Sequence, residues 1–186
     1  MKPFTLSLGS LLLLALFLSG GCSEDDDENG PMGSSPPPRP DTVWVSSVSG
    51  EAGQQVKVDI TIRNSVAIGS VEVPLRLAGS DFVIDSGSYG GGTFATAFLK
   101  QATINAAEKT VYFIAAHAPS NSVPSGTSHL GSLYVTLGAG AGNQVIAVDS
   151  AFVPVGGNVY HVVSFATPGL QQILPVFRGG EITVAP

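Results

Sequence analysis

Cysteine is nearly absent from this chain: its 186 residues contain one, Cys22, so no intramolecular disulfide can staple the fold. Charge is scarce as well, at 12% of residues, and it leans acidic, with 8 Lys and Arg against 14 Asp and Glu and a formal net charge of -6. A chain this poor in cations lacks the electrostatic footprint that a phosphate backbone requires, which argues against nucleic-acid binding. The spacings that announce chemistry are missing too. His117, His129 and His161 form no H-x-H or H-E-x-x-H pair, and no G-x-S-x-G elbow exists. The run Gly87 to Gly92 does not close on Gly-Lys-Ser/Thr, and Asp81 and Asp85 stand outside any D-x-D-x-D-G calcium loop. Asp149, Ser150, His161 and Ser164 can be combined on paper into a hydrolase triad, but no spacing supports it. The expectation is therefore no catalytic group, no metal and no cofactor.

What is present begins with an export signal. Lys2 supplies a positive start, and the apolar run from Leu6 to Leu18 follows. That run is shorter than the roughly 20 residues of a spanning helix and suits the apolar region of a signal peptide. Ser19-Gly20-Gly21 then lead into Cys22. The arrangement resembles the lipobox of bacterial lipoproteins, which implies cleavage after Gly21, removal of residues 1–21 and lipid on Cys22. The family prefers Leu three positions before the Cys; here Ser19 stands there and Leu18 one place further back. The alternative is an ordinary secretory signal cut near Gly20 or Gly21, leaving a free thiol. Two or three acyl chains on one sulfur-bearing residue, at about 0.8 kcal/mol per buried CH₂, make a durable membrane anchor without a transmembrane helix. Ser23 resembles the signal that releases such proteins from the inner membrane. The acidic run Glu24 to Glu28 resembles the surface-export signals of some bacterial groups, or is simply the solvated start of a tether. The resemblance implies a cell-envelope location, lipid-anchored at the outer membrane or cell surface.

Residues 22–40 carry the acidic run and then Ser34-Ser35-Pro36-Pro37-Pro38-Arg39-Pro40. This stretch cannot bury enough apolar area to offset chain entropy, while its charges repel and its prolines stiffen it. It reads as a spacer.

Residues 41–186 have hydrophobic periodicity of two. Thr42 to Val48 reads as a first strand, Gly50 to Gly53 as a turn, and Val56 to Arg63 and Ser70 to Leu77 as alternating strands. Pro74 predicts an irregularity or an unpaired N–H in the latter. Phe82 to Ile84 is a short apolar run, and Gly87 to Gly92 reads as a flexible connection. Phe98 to Asn105 and Thr110 to His117 read as a hairpin through Ala106 to Lys109. Leu130 to Leu137, Gln144 to Val148, Ala151 to Val155, Asn158 to Val162 and Glu181 to Ala185 complete the set. No amphipathic helix emerges. Many short strands punctuated by Gly, Pro, Asn and Ser predict an all-β fold, a β-sandwich or barrel.

The segment Trp44 to Val58, a strand, a Gly turn and a Val-rich strand, is similar to the opening of cohesin domains. Ile62-Arg63-Asn64 with Ile68 to Leu77 looks like their third strand, Leu130 to Leu137 like a late strand, and Gly179 to Val184 like the closing strand. The resemblance implies a jelly-roll β-sandwich that binds dockerin modules and takes part in polysaccharide degradation or surface assembly. Ala78-Gly79-Ser80-Asp81 departs from the pair usual after the third strand, and no dockerin-contact residue can be carried over by motif. The chain carries no dockerin loop, so the resemblance makes it the receptor side: a non-catalytic module for a dockerin-like or other extracellular protein. A carbohydrate-binding module on the same fold, attaching to polysaccharide, is the alternative. Its stacking aromatics would be Trp44, Tyr89, Tyr112, Tyr134 and Tyr160, provided that they share an exposed face; otherwise they are core or half-buried rings.

Overall fold

The computed structural model describes residues 39–156 and 159–186. Gly21, Cys22 and the tether as far as Pro38 lie outside the described residues. The described strands are β1 (Thr42–Val45), β2 (Val48–Glu51), β3 (Gln55–Asn64), β4 (Ser70–Ala78), β5 (Phe82–Tyr89), β6 (Leu99–Asn105), β7 (Thr110–Ala116), β8 (Gly126–Leu137), β9 (Gln144–Ser150), β10 (Val153–Gly156), β11 (Val159–His161), β12 (Ser164–Ala166), β13 (Gln172–Ile173), β14 (Val176–Arg178) and β15 (Gly180–Ala185). Two short 3-10 turns, Gly92–Thr96 and Pro119–Asn121, are the only helical pieces among them.

The strands form a two-layer sandwich. One sheet runs β14-β1-β3-β8-β5. The other runs β13-β12-β4-β9-β15-β2, with the β6–β7 hairpin added at the free edge of β4. The alternation read from the sequence is what closes the two layers. Along β3, Val56, Val58, Ile60 and Ile62 turn inward and are buried, while Lys57, Asp59, Thr61 and Arg63 turn out. Val71, Val73, Leu75 and Leu77 on β4 meet them from the second sheet with Phe113, Phe165 and Ile146, while Leu133 on β8 adds to the first layer. Each fully buried side chain of this size contributes about 1.5–3 kcal/mol relative to leaving it in water.

The expected first strand is in fact two. β1 joins β3 and β14 in one sheet, and β2 runs parallel to β15 in the other, so the chain changes layer at Ser46-Ser47. The serines supply the hydrogen bonds lost at the corner. Ser46 Oγ accepts from the Asp59 N–H at 2.8 Å, and Ser47 Oγ accepts from the Glu181 N–H at 3.1 Å. The chain makes the same change between β14 and β15, at Gly179-Gly180, where a Cβ on Gly180 would sit 2.6 Å from the Ser46 carbonyl oxygen. The expected Gly50–Gly53 turn is correspondingly shorter: Gly50 and Glu51 pair with β15, and Gly53, at φ 83, makes the turn.

Pro74 lies where β4 changes partner. Ser70 to Glu72 pair with β12 and Leu75 to Ala78 with β9, so the missing N–H falls in the gap between them. Its carbonyl still accepts from the Ala151 N–H at 3.0 Å. The Gly87–Gly92 stretch is not wholly a connection: Gly87 to Tyr89 pair with Leu133 to Gly131 as the end of β5. Gly87 faces inward, where a Cβ would meet Phe113 at 2.8 Å, so its glycine makes room for a core ring.

Candidate functional site: the outer sheet faces

The outer face of the β3–β8–β5 region is polar and internally satisfied. Asp59 Oδ1 receives Ser132 Oγ at 2.6 Å and Lys57 Nζ at 2.9 Å, with His129 Nε2 at 3.2 Å. The Lys57 and Ser132 hydrogen bonds hold the Asp59 carboxyl below its usual value against a smaller opposing effect of burial. The same pairing raises Lys57. Nearer the β5 edge, Asp85 Oδ2 accepts from Gln55 Nε2 at 2.8 Å and from Thr136 Oγ1 at 2.7 Å. A partner would have to displace these bonds to gain contacts here.

The opposite outer face, on β6–β7–β4–β9, is built differently. The registers place Gln101 beside Ile114, Thr103 beside Tyr112, and Tyr112 beside Pro74 in one flat array. Glu72 and Arg76 are the only charges that β4 contributes to it. Large apolar side chains border it: Phe98 is 72% exposed, Leu99 38% and Phe152 75%. The β10–β11 hairpin touches this face through His161, whose ring stacks on Tyr112. Burial and the neighbouring Glu72 charge push the Tyr112 hydroxyl far above its ordinary range, so it stays protonated.

The five candidate aromatics do not form one platform. Trp44 and Tyr134 lie on the first outer face, on β1 and β8, with β3 between them. Tyr112 lies on the second face, and Tyr160 is 52% exposed on the β10–β11 hairpin. Tyr89 faces the interior, packed edge-on against Phe113 with centroids 5.6 Å apart. Its hydroxyl lies 2.6 Å from the Ile114 carbonyl and 2.7 Å from that of Gln101, and burial drives its ionisation far out of range. Periodicity could have placed Tyr112 and Tyr134 on outer faces. It could not have assigned them to different layers.

The three histidines are likewise separate. His129 joins Asp59, His161 joins Tyr112 and Glu72, and His117 is buried beside Phe94. Of the residues in the paper triad, His161 hydrogen-bonds Tyr112 and Glu72 and, among the described residues, neither serine; Asp149 Oδ1 accepts from the Ser150 N–H, and Ser164 is buried. Among the described residues no group of three His, Cys, Asp or Glu is placed to hold a metal.

Two layers with strand exchange at the corners define a jelly-roll β-sandwich. No family model matches the chain, and no curated protein matches it in sequence. Solved structures do. The sixth cohesin of Acetivibrio cellulolyticus scaffoldin B, solved with a Cel5 dockerin, is 11% identical at TM-score 0.66, covering 78% of this chain and 99% of that one. The OlpA cohesin of Clostridium thermocellum, solved with a dockerin, is 7% identical at TM-score 0.65, with 78% and 99% covered. A non-cellulosomal cohesin of the archaeon Archaeoglobus fulgidus is 13% identical at TM-score 0.62, with 80% and 93% covered. At these identities the likeness establishes the fold.

Proposed function

We propose that this chain is a non-catalytic receptor module that docks a dockerin-type protein on the outer face of β6–β7–β4–β9, in the setting of polysaccharide degradation or surface assembly. The observation that carries the reading is the contrast between the two faces. Across β3–β8–β5 the polar groups are spent on one another, whereas β6–β7–β4–β9 offers Gln101, Thr103 and Ile114, beside a Tyr112 on which the His161 ring is stacked, with exposed Phe98, Leu99 and Phe152 at its margin. Flat faces with apolar centres and few charges suit protein docking. Cohesins of the same fold solved with dockerins support the partner class. The scattered aromatics give no comparable support to a stacking platform for neutral polysaccharide.

The test is surface capture of a panel of dockerin modules by the full chain. Binding that is lost in Ile114→Asp and retained in Lys57→Glu is expected; no capture across the panel overturns the reading. The anchoring belongs to the same proposal: lipid on Cys22 holds the module at the envelope, outside the membrane, on the tether of residues 22–40. Fractionation of cells making Cys22→Ser checks it. The variant should leave the membrane fraction and lose incorporation of labelled palmitate, and retention in membranes would overturn the anchor.

A further inference from the structure

The chain has four arginines and one tryptophan. Three of those arginines, Arg39, Arg63 and Arg178, line a single cleft with the tryptophan, Trp44, together with Thr42 and Thr127. They come from distant parts of the chain and are brought together by register. Trp44 pairs with Arg178 across β1–β14, Thr42 with Arg63 across β1–β3, and Arg63 with Thr127 across β3–β8. Paired residues share a face, and Val43 and Val45 occupy the inner one, so this set points outward.

No carboxylate lines the cleft. Among the described residues none of the three guanidinium groups makes an ion pair, and the only cation over an aromatic ring is Lys109 over Phe82. No guanidinium among the described residues stacks over the face of the Trp44 ring. The adjacent acid, Asp41, is engaged with the Ser65 N–H. Thr42 Oγ1 is buried and donates to the Pro40 carbonyl at 2.9 Å, which ties the chain beside Arg39 to β1. Three like charges held together in an acidic chain repel one another and are relieved by an anion. Guanidinium forks match carboxylates in paired hydrogen bonds. The half-buried indole beside them offers the part of its apolar surface that faces the cleft to a sugar ring. The cleft holds about 680 Å³, within the size range of sites for small ligands.

We propose that this cleft binds a carboxylate-bearing saccharide, an oligomer of uronic acid, with its carboxylates on Arg39, Arg63 and Arg178 and a ring against Trp44. The site is on the sheet opposite the proposed docking face and does not depend on that reading. Because Trp44 is the only tryptophan, its fluorescence reports on the cleft directly. The full chain is titrated with trigalacturonate, cellotriose and a hexaglutamate peptide, following Trp44 emission and calorimetric heat. Trigalacturonate should bind and shift the emission, more weakly as salt is raised, while cellotriose gives no response. Arg63→Gln and Arg178→Gln should each weaken binding by about tenfold. Arg63→Lys and Arg178→Lys, which keep the charge and lose the fork, should fall between, and Arg76→Gln should match the parent. Thermal melting identifies any variant that fails to fold, and the lysine variants then decide. No response to trigalacturonate, an equal response to cellotriose, or indifference to the arginine substitutions overturns the proposal. Equal or tighter binding of hexaglutamate overturns it in favour of an acidic protein segment.

Discussion

The imidazole of His161 lies stacked on the phenol of Tyr112, with ring centroids 4.3 Å apart and planes 29° from parallel. Its Nδ1 is 2.9 Å from the Tyr112 hydroxyl and 3.1 Å from Glu72 Oε2. A side chain on β11 thus fastens the two-stranded β10–β11 hairpin to β4 and β7 of the proposed docking face. Those two strands pair only with each other, and an isolated hairpin is marginal in water. His161→Ala should therefore raise amide hydrogen exchange across Val153–His161. The core strands should keep their protection, and global stability should fall by no more than about 1 kcal/mol. Unchanged exchange would mean that the stacking does not hold the hairpin.

A second prediction concerns acid. His117 is 5% exposed, and neither ring nitrogen has a hydrogen-bond partner among the described residues. Burial pushes its imidazole below the ordinary value of 6.5, with the Asn121 backbone pulling less strongly the other way. The folded protein therefore takes up this proton less readily than the unfolded chain. Stability from this group is complete above 6.5 and declines as pH falls through 6.5 toward the lower folded value. Melting temperatures of the parent between about pH 8 and pH 5 should fall on acidification more steeply than those of His117→Leu. Parallel curves would sink the assignment.

Asp59 acts lower on the pH scale. Its carboxyl is held below 3.8 by Lys57 first and Ser132 second. That contribution is present above 3.8 and disappears as pH falls through the lower folded value. The group is 43% exposed, so salt screens the effect and its size is small. Asp59→Asn should lose a little stability at neutral pH and flatten the acid limb of the curve below 3.8, most visibly at low ionic strength. An unaltered acid limb would contradict this.

Gly131 is the tightest backbone approach between β5 and β8. A Cβ there would lie 2.2 Å from the Ser88 carbonyl oxygen and 3.2 Å from the Tyr89 Cα. Relief requires parting two hydrogen-bonded strands, so Gly131→Ala should cost about 1–3 kcal/mol in denaturant unfolding. Gly91→Ala provides the contrast. Its Cβ would enter open space, and stability should change by less than about 0.5 kcal/mol.

Legibility in the sequence follows length and periodicity. β3, β4, β6, β7 and β9 alternate over seven residues or more, and their existence and inward residues could be read directly. β12, β13 and β14 have two or three residues each, too few to display a period, and they were missed. β8 begins four residues earlier than its apolar run suggests, because the register shift opposite Ile60 and Thr61 interrupts the alternation. The candidate aromatics were visible as residues but not as an arrangement, since alternation assigns a face and not a layer.

The order of residues alone determined that the body is built from strands, which side chains fill its interior, and that charge and cysteine are too sparse for several kinds of chemistry. These are local properties, set by side-chain alternation and composition. Tertiary structure decided that Trp44 shares a cleft with Arg63 and Arg178, that Tyr89 turns inward beneath Ile114, and that His161 reaches Glu72 across 89 positions of chain. Such meetings depend on which strands pair and in what register. In a fold made almost wholly of long-range pairings, that choice belongs to the closed sandwich as a whole.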